Sequence, residues 1–118
     1  RILLHGAYDA ATANRFGLEQ AQPLAHVAAN GNPQLNPLVA VDNDRVCVTI
    51  LKPTADGKAT ILRLRSLSDN TESLKLAFPA GAPKSVRLCP VEETPGASVA
   101  ETISLLPYGL LTLRVEFN

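Results

Sequence analysis

No tryptophan and no methionine occur in the 118 residues, and Tyr8, Tyr108, Phe16, Phe78 and Phe117 supply every aromatic ring. Surfaces that grip sugars or single-stranded nucleic acid stack the ligand on aromatic faces, and this chain has little to stack with. Net charge is missing as well, because 11 Lys and Arg stand against 11 Asp and Glu. A neutral chain has no electrostatic footprint for nucleic acid and no attraction to an anionic membrane. No apolar run approaches the roughly 20 residues of a membrane span, and the first residues lack the basic-then-apolar layout of a signal peptide. The missing methionine, with Arg at position 1, leads us to expect a piece of a larger polypeptide.

Cysteine is sparse. Cys47 and Cys89 lie far apart with no C-x-x-C spacing, so two buried reduced thiols are expected rather than a disulfide or a reactive pair. No N-x-S/T sequon occurs, since Asn70-Thr71-Glu72 has its Thr one position early. Both features lean towards a bacterial, cytoplasmic parent.

What is present is ordinary globular material: 46% hydrophobic and 19% charged residues, enough for one domain over 1–118 with a real core. The chain divides near residue 38. Residues 1–37 read as a lead-in: a short strand at Arg1-Ile2-Leu3-Leu4, a helix capped by Asp9 over Ala10 to Gln22, and a stop at Pro23. Ala13 and Phe16, one turn apart, are its expected core contacts. A strand is expected over Leu24 to Ala29, then a loop at Asn30-Gly31-Asn32-Pro33.

From Leu38 onward the period is two. Val46 to Leu51 reads as a strand covered on both faces, and Asp56-Gly57 as a hairpin turn. The return strand puts Leu62 and Leu64 inward, with Arg63 and Arg65 outward. Leu74, Leu76 and Phe78 alternate with Ser73, Lys75 and Ala77. A shorter strand carries Val86 and Leu88, and another is expected over Val99 to Leu106. The clearest alternation comes last, with Leu111, Leu113, Val115 and Phe117 inward and Thr112, Arg114 and Glu116 outward. The fold class is therefore mainly β, an antiparallel β-sandwich in an immunoglobulin-like arrangement, with one short N-terminal helix.

The residues hold little chemistry. His5 and His26 are 21 positions apart with no neighbouring Cys to complete a zinc set. Asp42-Asn43-Asp44 opens like a calcium loop, but Arg45 and Val46 follow where Gly and further oxygen ligands belong, so it reads as a turn. Glu92, Glu93 and Glu101 could pair for acid–base work, yet they sit in a Pro- and Gly-containing loop and beside an edge, where solvated charge is expected. Arg63 and Arg65 share the outer face of one strand, as an anion site or as ordinary strand exterior. No catalytic, cofactor-binding or metal-binding residue is assigned.

Several segments, in order, resemble the C-terminal region of glycoside hydrolase family 38, the α-mannosidases. Val46-Cys47-Val48-Thr49-Ile50-Leu51-Lys52-Pro53-Thr54-Ala55-Asp56-Gly57 is similar to that family's strand, Lys-Pro and Asp-Gly hairpin. Ile61-Leu62-Arg63-Leu64 fits its return strand. Upstream, Leu3-Leu4-His5-Gly6 with Asp9, Arg15, Glu19 and Pro23-Leu24 resembles the segment leading in. Leu106-Pro107-Tyr108-Gly109 through Thr112-Leu113-Arg114 resembles the close. Ser66-Leu67-Ser68 departs from the family's aromatic residue and Asn-Pro, and Gly109 from its usual acidic residue.

The resemblance implies a noncatalytic structural domain of a retaining α-mannosidase. Its partners would be the other domains of the parent and, through them, mannose-containing glycans. Zinc and the catalytic carboxylates would belong to the parent's catalytic domain, with no cofactor in this chain. The alternatives from other classes are an independent carbohydrate-binding module or an immunoglobulin-like interaction module. In the domain reading, the apolar residues around Phe16, Leu18 and Leu24 are expected to be a former interdomain contact.

Overall fold

The computed structural model describes residues 2–21, 28, 30, 31 and 36–118, and among these one helix and eight strands form. Helix α1 spans Ala10–Ala21. The first amides of a helix have no partner within it, so an acceptor just upstream sets where winding begins. Asp9 is that acceptor: the Thr12 amide and hydroxyl both donate to its carboxylate, at 2.9 and 2.6 Å. The same side chain meets Arg45 at 3.3 Å, which ties the start of the helix to the sandwich.

Other lead-in expectations change. Ala11 is the buried helix residue, whereas Ala13 is exposed and Phe16 half-buried. The strand expected at residues 1–4 does not form over 2–4, where Ile2 and Leu4 are almost fully exposed. Three apolar residues with no ladder to join cannot hold a strand alone. The strand expected over Leu24 to Ala29 lies, Ala28 apart, outside the described residues, as do Asn32 and Pro33.

The strands are β1 (Ala40–Val41), β2 (Val46–Pro53), β3 (Thr60–Ser66), β4 (Glu72–Leu74), β5 (Leu76–Ala77), β6 (Ser85–Leu88), β7 (Ile103–Leu105) and β8 (Leu110–Glu116). One antiparallel sheet has the order β2-β3-β8-β6. β4 pairs with β7, and β5 with β1. Only Lys75 separates β4 from β5, because its amide donates to the Asp42 carboxylate at 2.7 Å instead of to a strand. Residues 72–77 thus run through both ribbons and join them into a second layer.

The core lies between these layers. Leu62, Leu64 and Leu113, each 0% exposed, meet Leu74, Ile103 and Leu105 from the opposite side. Phe78 and Phe117 close one margin edge to face, with ring centroids 6.0 Å apart. The β-sandwich expected from the alternation is the fold observed. β8 is hydrogen-bonded on both sides, with Leu113 and Val115 buried and Leu111 and Phe117 half-buried. The last strand of the chain is central.

Two strand expectations need correction. β2 is an edge strand, not a covered one, and Val48 and Leu51 are 39% and 47% exposed. Its pairing slips between Val48 and Ile50, and a bulge followed by Lys52 and Pro53 discourages another strand from adding there. The strand expected over Val99 to Leu106 shortens to Ile103–Leu105, because Val99 belongs elsewhere: its amide bonds the Val86 carbonyl at 3.2 Å beside β6. Arg114 faces outward as expected. It is only 8% exposed, covered by loops from both ends of the sheet.

Candidate functional site

Residues with chemical potential are scattered. His5 is exposed, its Nδ1 3.0 Å from the Gly6 carbonyl oxygen, and it lines a cleft of about 300 Å³ with Leu3, Tyr8, Asp9 and Thr12. His26 lies outside the described residues. Asp42, Asn43 and Asp44 form a turn: the Arg45 amide donates to Asn43 Oδ1 at 2.8 Å and the Val46 amide to the Asn43 carbonyl at 3.2 Å. No group of three or more His, Cys, Asp or Glu stands close enough to hold a metal among the described residues.

Cys47 on β2 and Cys89 just beyond β6 belong to opposite edges of a four-stranded sheet, both as free thiols. Three strand spacings, about 14 Å in all, rule out a disulfide between them. Burial pushes both thiols above their ordinary acidity range, so neither is primed as a nucleophile.

The glutamates do not converge on a reaction centre. Glu101 pairs with Lys75 at 2.9 Å on the exposed rim, and each partner favours the charged form of the other. Glu92 is exposed, while Glu93 forms an ion pair with Lys52. Arg63 donates to the Thr112 hydroxyl at 2.9 Å, and Arg65 is exposed.

One cluster does come together, and no spacing in the sequence announces it. Arg114 Nη2 donates to Asp56 Oδ2 at 3.1 Å, its Nε to Glu116 at 3.2 Å, and its Nη1 to the Glu93 carbonyl at 3.4 Å. The other Asp56 oxygen accepts from the Thr54 hydroxyl and from the Lys58 amide. That hydroxyl, with the Lys58 amide and Arg114 behind it, holds the Asp56 carboxyl down at about 2. Each of the three guanidinium nitrogens has an acceptor, and the carboxylate is ionised at any ordinary pH. The arrangement clamps the hairpin to the terminal strand and has no proton to trade.

The hairpin loop itself is longer than the tight turn expected. It runs from Thr54 to Ala59, closed by the Thr54 amide on the Ala59 carbonyl at 2.9 Å. Gly57 alone takes a positive φ, 67°, which a side chain would strain.

The other surface of note is apolar. Ile2, Leu4 and Tyr8 are 90%, 92% and 76% exposed. Elsewhere α1 leaves a second cleft, about 240 Å³, against β2, lined by Arg15, Leu18, Cys47, Val48 and Leu67. Phe16 and Leu18, expected to form part of an interdomain patch, are half-buried, and Leu24 lies outside the described residues.

No family model and no curated protein sequence matches the chain. Among solved structures, the apo exo-carrageenase GH42 from Bacteroides ovatus is similar, with 22% identity and a TM-score of 0.46 over 68% of this chain. The chain spans 11% of that protein's length. That likeness decides neither fold nor function.

Proposed function

We propose that this chain is the noncatalytic C-terminal β-sandwich of a retaining family 38 α-mannosidase, bracing the domains that carry the chemistry. One observation supports the reading above the rest. The two most telling segments of the resemblance, Lys52-Pro53 to Asp56-Gly57 and Pro107-Tyr108 to Arg114, meet in space. Asp56 and Arg114, 58 positions apart, are joined at 3.1 Å.

In this reading the acid, the nucleophile and zinc lie elsewhere in the parent, which cleaves α-mannosidic bonds through a glycosyl-enzyme intermediate. The residues of this chain take no chemical step. The exposed Ile2, Leu4 and Tyr8 supply apolar surface to the neighbouring domains, together with the half-buried Phe16 and Leu18.

The test compares the whole with the part. The polypeptide that carries this segment, purified entire, should hydrolyse an aryl α-mannoside with retention and lose activity to a zinc chelator. This chain alone should show no turnover and bind no stoichiometric zinc. Turnover by the chain alone, or an entire polypeptide inert on α-mannosides, overturns the proposal.

A further inference from the structure

The large sheet does not stop at β6. The Gly96 amide donates to the Leu88 carbonyl at 2.7 Å, the Leu88 amide to the Ala97 carbonyl at 2.8 Å, and the Val99 amide to Val86. Residues 96–99 thus run back beside β6, and residues 89–95 leave and return through a narrow neck. A Cβ at position 96 would sit 2.9 Å from the Leu88 carbonyl oxygen, so the neck requires glycine.

Glu93 is the tip of this excursion, in a left-handed conformation with φ 61°. It reaches across the outer face to two strands. Its carbonyl accepts from Arg114 on β8, and its carboxylate pairs with Lys52 on β2, at the far edge. Lys52, Ile61, Arg114 and Arg87 form one register row under that path. Ile61 is 1% exposed although it faces away from the core. Cys89 shares this outer face, its amide on the Thr112 carbonyl at 3.0 Å, and is buried.

The segment buries little apolar surface of its own: Val91 is 81% exposed, and Pro90, Glu92, Thr94 and Pro95 are exposed too. Cys89 is anchored by its amide on Thr112, but beyond it residues 90–95 are held to the sheet by charge and by one long hydrogen bond. Lys52 is half in solvent, and ion pairs of that kind are weak fasteners.

We infer that residues 90–95 form a strap that opens as a unit about the Leu88–Gly96 neck when the Lys52–Glu93 latch breaks, uncovering Cys89, Ile61 and Arg114 while the core stays folded. Segments with few buried apolar contacts open locally at far lower cost than global unfolding. The neck bonds keep the ends in place, so closure is fast and the strap reseats.

Cys89 reports the opening, and Cys47 is the control in the same molecule. Native protein is alkylated with neutral iodoacetamide and each thiol is followed separately. Lys52→Met and Glu93→Gln should each speed Cys89 about five-fold, the weight of one partly exposed ion pair, and leave Cys47 unchanged. After burial, the Glu93 carboxylate is the next influence holding the Cys89 thiol up. Glu93→Gln therefore favours the thiolate even without opening, whereas Lys52→Met leaves an unpaired carboxylate that disfavours it. Acceleration in both variants reads opening. In the unsubstituted chain, about 1 M salt should act in the same direction by screening the pair. Acceleration in Glu93→Gln alone, parallel acceleration of Cys47, or no response to either variant or to salt, overturns the strap.

Discussion

The two faces of the four-stranded sheet are held by different physics. On the inner face, Leu62, Leu64, Leu113 and Val115 bury aliphatic surface against the second layer, a force that depends on area and shape but not direction. On the outer face, Arg114 is buried with one placed acceptor for each guanidinium nitrogen, from Asp56, Glu116 and Glu93. The inner face fails when volume is lost. The outer face fails when one partner is removed and leaves a buried charge unanswered. An aliphatic core can be repacked by many sequences, while the Arg114 cluster works only with those loops in those places.

The largest effect that would break the comparison is truncation after Leu110. It removes Leu113 and Val115, fully buried, with Leu111 and Phe117, half-buried. Fully buried side chains contribute roughly 1.5–3 kcal/mol each, against a total stability of about 5–15 kcal/mol. The truncated chain should therefore show no cooperative melt. A folded truncation product with protected amides elsewhere would remove β8 from the centre of the sheet.

Leu62→Ala should cost about 2–5 kcal/mol in denaturant unfolding, as a buried cavity with no route to collapse. A cost below about 0.5 kcal/mol, the usual range for surface positions, would mean that the inner face is not the core. Smaller again is Gly57→Val, expected to lose roughly 1–3 kcal/mol through strain at a positive φ. An unchanged melting temperature would place the left-handed residue elsewhere in the hairpin.

The smallest effect sharpens the comparison by pH. The Asp56 carboxyl sits at about 2 in the folded chain, below its ordinary 3.8. A depressed carboxylate contributes stability that is complete above the unfolded value and disappears as pH falls through the folded one. The melting temperature should thus decline between about pH 5 and pH 2, and Asp56→Asn should flatten that decline while lowering the neutral-pH value. Leu62→Ala, on the inner face, should lower the whole curve without changing its acid slope. Equal slopes in Asp56→Asn and the unsubstituted chain would detach Asp56 from the stability of the outer face.

Much of the fold was legible because one face of each strand is apolar. Period-two alternation located β3, β8 and the hairpin between β2 and β3, and Asp9 marked the start of α1 by its chemistry. Alternation failed where a segment changes partners. The 72–77 run reads as one strand but divides at Lys75, and Val99 joins the edge of β6 while Ile103 belongs to the other layer. Composition also misled at β2, where Val48 and Leu51 are apolar yet lie on an edge. Apolar content says that a residue prefers burial, not that a neighbour exists to bury it.

By itself the sequence determined the β class, the turns at Asp56-Gly57 and Asp42-Asn43-Asp44, and which side chains of β3 and β8 face the core. Those properties depend on residue type and spacing over a few positions, where sterics and periodicity act. Only the tertiary structure decided that the last strand lies between β3 and β6, that Arg114 is buried beside Asp56, and that Glu93 reaches across the sheet to Lys52. Strand order and charge pairing between residues 58 or 41 positions apart depend on which surfaces meet after collapse, and no local preference encodes that choice.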